Sequence, residues 1–145
     1  MRWDDEDEIK KDRLFRDYDT VLKESAVLTT FGGVMFGFLL NISIRGSNQL
    51  AYLEKIILVL ALFSITIAVS LFVMPVIYHH VQFPYTDIDK FKQRAHRFIL
   101  FGFIPTLVTL YLGMILAFSP LIDNMSYFVA GLPFLFVYIL YRMRK

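Results

Sequence analysis

The 145-residue chain is 57% hydrophobic and 19% charged, with a mean hydropathy of +0.55. That balance lies outside the range of soluble globular domains and excludes a conventional water-facing fold. Cysteine is absent, which excludes disulfide frameworks, thiolate metal centres and thiol catalysis. The net charge of +2 conceals an asymmetry of placement that bears on membrane topology rather than on nucleic acid.

The chain opens with the acidic run Asp4, Asp5, Glu6, Asp7 and Glu8, which suits the positive end of a helix dipole. Glu6 and Lys10, Asp7 and Lys11, Asp12 and Arg16, and Asp19 and Lys23 then fall four residues apart with the acid first. Leu14, Phe15, Tyr18, Val21 and Leu22 share one arc and the charged residues the opposite one. The spacing predicts an amphipathic cytoplasmic helix over residues 1–25 that leads into the first apolar span. The charged lead and the lack of a small-residue cleavage site argue against a removable signal peptide.

Four apolar spans follow, over residues 26–44, 56–78, 98–118 and 126–141, to be compared with the ~20 residues that cross a bilayer core. The expected fold is all-α, an integral membrane four-helix bundle occupying residues 26–145. Span one ends near Arg45 and Gly46, and the helix restarts over Leu50 to Lys55. Span two carries Ala61, Ser64, Thr66, Ala68 and Ser70, small and hydroxyl groups suited to packing and to bonding their own helix carbonyls. Pro75 should bend its last turns before Tyr78, His79 and His80 reach the interface. Pro84 favours a turn, and Thr86 with Asp89 resembles a capping box that starts a helix running into span three. Pro105 should kink span three. Pro120 is expected to follow that span, with Asp123 and Asn124 forming a tight outer turn. Span four ends in Tyr138, Tyr141 and Arg142, an aromatic and basic anchor.

Of the 15 Lys and Arg residues, only Arg45 and Lys55 fall in the segments between spans one and two or three and four. The positive-inside rule therefore predicts a multi-pass protein of the cell membrane with both termini and the middle loop in the cytoplasm. Ser47 and Ser126 are expected on the outer side. The basic residues flank spans and form no nucleic-acid recognition motif.

Ser25, Thr29, Gly33, Gly37 and Asn41 recur every fourth residue through span one. They read as a ridge for helix packing or for lining a pore, with Gly33 and Gly37 as a GxxxG pair. The ionisable groups Glu24, Glu54, His79 and His80 stand at membrane edges. His79, His80 and His96 with Asp87 and Asp89 supply the imidazole and carboxylate groups that a metal site would use. Adjacent histidines diverge on a helix and no pair of ligands shares a face, so no metal site is assigned.

The run Pro75, Tyr78, His79, His80 and Phe83, then Lys90, Arg94, Arg97 and Gly102, resembles a family of small prokaryotic four-span membrane proteins of unknown function. Members of that family are often labelled sodium/proton antiporters. Glu24, Val27, Leu28, Thr29 and the run Phe36, Gly37, Phe38, Leu39 and Leu40 resemble the family's opening, so the likeness covers most of the chain beyond about residue 23. Where relatives commonly carry a basic residue after the acidic one, this chain has Ser25 and Ala26.

No serine, histidine and carboxylate set shares a depth, and no glycine-rich phosphate loop or cofactor motif is present. An enzyme is not expected. No Asp, Glu, Lys or Arg lies within the four spans, which disfavours coupled antiport through a buried carboxylate. The sequence reading is a homo-oligomer in the lipid bilayer that passes small monovalent ions passively, without cofactor or nucleic acid. A non-conducting scaffold or accessory subunit is the alternative, and a cation/proton antiporter the third reading.

Overall fold

The computed structural model describes residues 3–46, 48–82 and 88–144, with side chains described outside 3–15, 17, 18, 82, 88 and 89. The expected ion pairs at Glu6, Asp7 and Asp12, the arc residues Leu14, Phe15 and Tyr18, the outer residue Ser47 and the turn at 83–87 lie outside these described parts. The elements are α1 (Trp3–Gly46), α2 (Tyr52–Gln82), α3 (Ile88–Ile122), a single 3-10 turn (Asp123–Met125) and α4 (Ser126–Met143). Among the described residues there is no strand.

Three helical stretches are long and apolar enough to cross a membrane: Asp19–Gly46, Tyr52–Val81 and Lys90–Met143. The described elements are therefore all helical, with three stretches long and apolar enough to cross a bilayer where hydropathy in the sequence predicts four spans. The third is 54 residues long because it runs on through the 3-10 turn. Asp123 there takes a φ of 48°, a left-handed conformation that Asp tolerates better than most side chains. Tyr111 donates to the Tyr127 carbonyl at 3.3 Å, and its ring meets Phe134 edge-on at 6.0 Å. An uninterrupted helix would hold positions 111 and 134 about 34 Å apart, so α4 folds back along α3.

α1 is unbroken through Ser25 and Ala26. The amphipathic lead and span one thus form one helix. α2, α3 and α4 likewise continue through Pro75, Pro105, Pro120 and Pro133. Pro120 lies inside α3 rather than after it.

Contacts group the chain into two units, one of Met1–Val34 with Thr66–Ile104 and the other of Met35–Ile65 with Pro105–Lys145. In the first, Val21 of α1 packs with Phe91, Ala95 and Ile99 of α3, flanked by Leu22, Leu28 and Tyr78. Ser25, fully buried, donates its hydroxyl to the Phe72 carbonyl of α2. The Phe72 ring lies edge-on to Phe103 at 6.0 Å and over Gly102, where an added Cβ would stand 2.5 Å from its Cε1.

In the second unit Leu39, Ile57, Leu58, Ala61, Ile65, Ile115, Leu116 and Ala130 are buried. Buried Thr109 bonds the Pro105 carbonyl at 2.9 Å and the Ala61 carbonyl at 3.4 Å. Ser70 bonds back to the Thr66 carbonyl at 2.8 Å, as its place on an apolar helix predicts.

α1 and α2 each have one buried seam whose members alternate in steps of three and four. On α2 it is Leu58, Ala61, Ile65, Ala68, Phe72 and Pro75. On α1 it is Val21, Ser25, Leu28, Gly32, Met35 and Leu39, the most exposed of these being half-buried. This 3.5-residue period is the one that keeps a seam facing its neighbour along packed helices. Small residues at Ser25, Ala61, Ala68, Ala95 and Gly102 let the backbones come close.

Gly102→Ala places a methyl group against a fully buried aromatic ring. It is expected to destabilise the protein by about 1–3 kcal/mol, read as lower resistance to denaturant in detergent. An unchanged transition would mean that the Phe72 ring has room to withdraw.

Candidate functional site

The five residues of the span-one ridge do not share one side of α1. Residues four apart advance by about 40° on a helix of 3.6 residues per turn, so Asn41 stands roughly 160° around from Ser25. Ser25 is buried in the seam, Thr29 is half-buried, and Gly33, Gly37 and Asn41 are exposed. A Cβ built at Gly33 or Gly37 meets nothing within 4 Å. Leu39, by contrast, is fully buried in the seam.

The exposed members belong to a different stripe, Ala26, Thr30, Gly33, Gly37 and Asn41, on the side of α1 opposite its seam. Thr30 bonds the Ala26 carbonyl at 2.9 Å, so the stripe presents small side chains, bare backbone and one carboxamide. Only 11% of the apolar window of α1 is buried, against 33% for each of the other two stretches. α1 is therefore the helix with most surface left for lipid or for another chain.

A second feature lies wholly within the first unit. Thr20, Lys23, Glu24, Val27 and Leu28 of α1 and His96, Ile99 and Phe103 of α3 line an open groove of about 560 Å³. Lys23 is paired with Asp19 at 2.5 Å. No ion pair engages Glu24 among the described residues.

The other edge groups are tied into local structure. Glu54 accepts the Ala51 backbone N–H at 2.8 Å and the Ser119 hydroxyl. It sits in the third position of α2 and reaches back to the residue that caps it. A clamp from α2 to the end of α3 results, where the sequence shows only an acidic group at the membrane edge. His80 has Nδ1 at 2.9 Å from the Val76 carbonyl. The His79 and His80 rings meet edge-on at 5.2 Å, closer than their divergence on an ideal helix implies. Asp87 and the Asp89 side chain, considered as metal ligands, lie outside the described parts.

Tyr78 stacks on Phe91 at 5.7 Å, and the Arg94 guanidinium lies over its ring at the same distance while donating to its hydroxyl. This contact combines stacking, cation–π attraction and a charge-assisted hydrogen bond. The sequence shows aromatic and basic residues there; their pairing across sixteen positions depends on α2 and α3 returning side by side.

A family model described as a family of unknown function, DUF6328, matches residues 7–143. The chain belongs to this family. No curated protein and no solved structure matches it. Several residues that carried the family likeness are packing residues here: Pro75 is buried, Tyr78 and Arg94 bond each other, and Gly102 makes room for Phe72. The functional reading therefore rests on the outward-facing features of α1.

Because Gly37 has open space in its own chain, Gly37→Leu should leave the fold intact, and any self-association through the stripe should fall about tenfold. Phe38→Leu, exposed away from the stripe, should leave it unchanged. Single-molecule photobleaching in vesicles reads both. Equal association in the two variants would remove the stripe from the contact.

Proposed function

We propose that this is a four-pass protein of the cell membrane that assembles with copies of itself and passes small monovalent ions passively along the axis of the assembly. Asn41 carries the reading. Its carboxamide is exposed on an apolar helix whose neighbouring Phe38, Leu40 and Ile44 also face outward, and a polar group facing hydrocarbon is costly. A second copy of the same stripe would meet Gly33 and Gly37 at close range and give Asn41 a polar or watered neighbour.

The four-pass arrangement is supported by the reversal at Asp123 and by the length of α4. Its 18 residues rise about 27 Å, close to the ~30 Å of a bilayer core. The basic bias supports cytoplasmic placement of the segments before α1, between α2 and α3, and after α4.

One observation favours a non-conducting scaffold instead. The buried hydroxyls of Ser25 and Thr109 are occupied, the first by Phe72 and the second by Pro105 and Ala61, so neither is free to line a path within a single copy. Conduction thus requires the assembly. Antiport is the weakest reading, because Glu54 is held by two donors and Glu24 lies in a groove near the start of its stretch rather than at mid-membrane.

Flux of a monovalent cation into vesicles under an imposed potential tests conduction. Parent protein should exceed empty vesicles, and Asn41→Leu should lower the flux about tenfold with assembly intact. Flux at the background level in an assembled parent would favour the scaffold. Uphill sodium movement driven by a proton gradient would restore the antiporter reading.

Topology has its own measurement, made simple by the absence of native cysteine. Cysteine at Asn124 should react with an impermeant maleimide from outside intact cells, and cysteine at Arg142 should not. Asn124 replaces Ser126 as the reporter because Ser126 is 1% exposed. Labelling at both positions would overturn the four-pass arrangement.

A further inference from the structure

The groove between α1 and α3 is graded along its length. Thr20, Lys23, Glu24 and His96 form its polar end, and Val27, Leu28, Ile99 and Phe103 its apolar end. The two helices run in the same direction there, since Val21 packs with Phe91 and Ala95 while the groove residues that follow on each helix become apolar. Polar groups therefore gather where both stretches begin, and the apolar end lies about one to two helical turns deeper. A volume of about 560 Å³ suits one elongated ligand of modest size.

The charges at the polar end select the chemistry. Lys23 is locally neutralised by Asp19 at 2.5 Å, yet its ammonium carries three donors and retains two for an outside acceptor. Glu24 is an exposed carboxylate with no ion-pair partner among the described residues, and His96 is exposed beside it as a ring N–H donor. An occupant carrying only negative charge would set that charge next to Glu24. One carrying both a primary ammonium and a phosphate would satisfy all three groups, the ammonium donating to Glu24 and the phosphate accepting from Lys23 and His96. A quaternary ammonium has no N–H to donate.

We infer that this groove binds a membrane phospholipid with a phosphoethanolamine headgroup, one acyl chain lying on Val27, Leu28, Ile99 and Phe103. The inference rests on the membrane placement proposed above but not on ion conduction. It gives Glu24, which the packing leaves unused, a ligand-binding role at the membrane edge.

The test uses full-length protein reconstituted in vesicles of equal phosphatidylethanolamine and phosphatidylglycerol, re-extracted in mild detergent, with retained lipid measured by mass spectrometry. Parent protein should retain phosphatidylethanolamine about fivefold over phosphatidylglycerol. Glu24→Gln should abolish that preference, and Val27→Trp, which fills the apolar end, should lower retention of both lipids. Both positions are exposed, so neither variant disturbs the buried seam. Equal retention of the two lipids by the parent, or an undiminished preference in Glu24→Gln, would overturn the assignment. Val27→Trp that changes the oligomer's mass while sparing lipid retention would instead assign the groove to a second copy. Alkaline carbonate extraction of the cell membranes separates the two levels of failure. A chain released by carbonate overturns the membrane placement and the groove together, whereas a retained chain without lipid preference overturns the groove alone.

Discussion

Helices in lipid gain little by hiding apolar side chains from a solvent that is itself apolar, so their association depends on how closely they can approach and on what polar groups they share. Around Phe72 that condition is met from two sides. Ser25 comes near enough for its hydroxyl to reach the Phe72 carbonyl, and Gly102 leaves the space the Phe72 ring occupies. Replacing either small residue with a larger one would push a neighbouring helix outward. The contacts of Val21 with Phe91, Ala95 and Ile99, and the groove that opens beside them, require the spacing that these two residues permit.

Several polar groups of the helices find a partner nearby. Thr109 and Ser70 turn back to their own helix carbonyls, Glu54 gathers the Ala51 amide and the Ser119 hydroxyl, and Arg94 spends its donor and its charge on Tyr78. Such bonds hold helix ends in register where water is scarce and an unmatched group is costly. Among the described residues, the buried hydroxyl of Ser126 has no bond, at the turn where α4 begins. Against this background the outward carboxamide of Asn41 stands apart, as does Glu24, which has no ion-pair partner among the described residues.

Belonging to a family of unknown function assigns no activity by itself. What the geometry adds is a division of labour among residues that the likeness grouped together. Pro75, Tyr78, Arg94 and Gly102 serve packing, while Glu24 and Val27 line a groove open to the surroundings. Surface and seam occupy opposite sides of α1, so a change on one can be made without disturbing the other.

Hydropathy and period alone determined that the chain is all-helical and suited to a bilayer, because long runs such as Ile56 to Tyr78 contain no charge and end at interfacial aromatic and basic residues. The tight turn at Asp123 and Asn124 was legible for a local reason, as was the helix restart near Ala51. The facing of α1 was not. A four-residue repeat resembles a single ridge in the sequence, yet it drifts around the helix, and only a packed neighbour selects the 3.5-residue seam through Ser25 and Leu39. The pairing of Glu54 with Ser119 and of Tyr78 with Arg94, and the placing of Glu24 and His96 on one groove, likewise waited on the tertiary structure. These residues are 16 to 72 positions apart, and no local propensity carries information over such distances until helix packing brings them together.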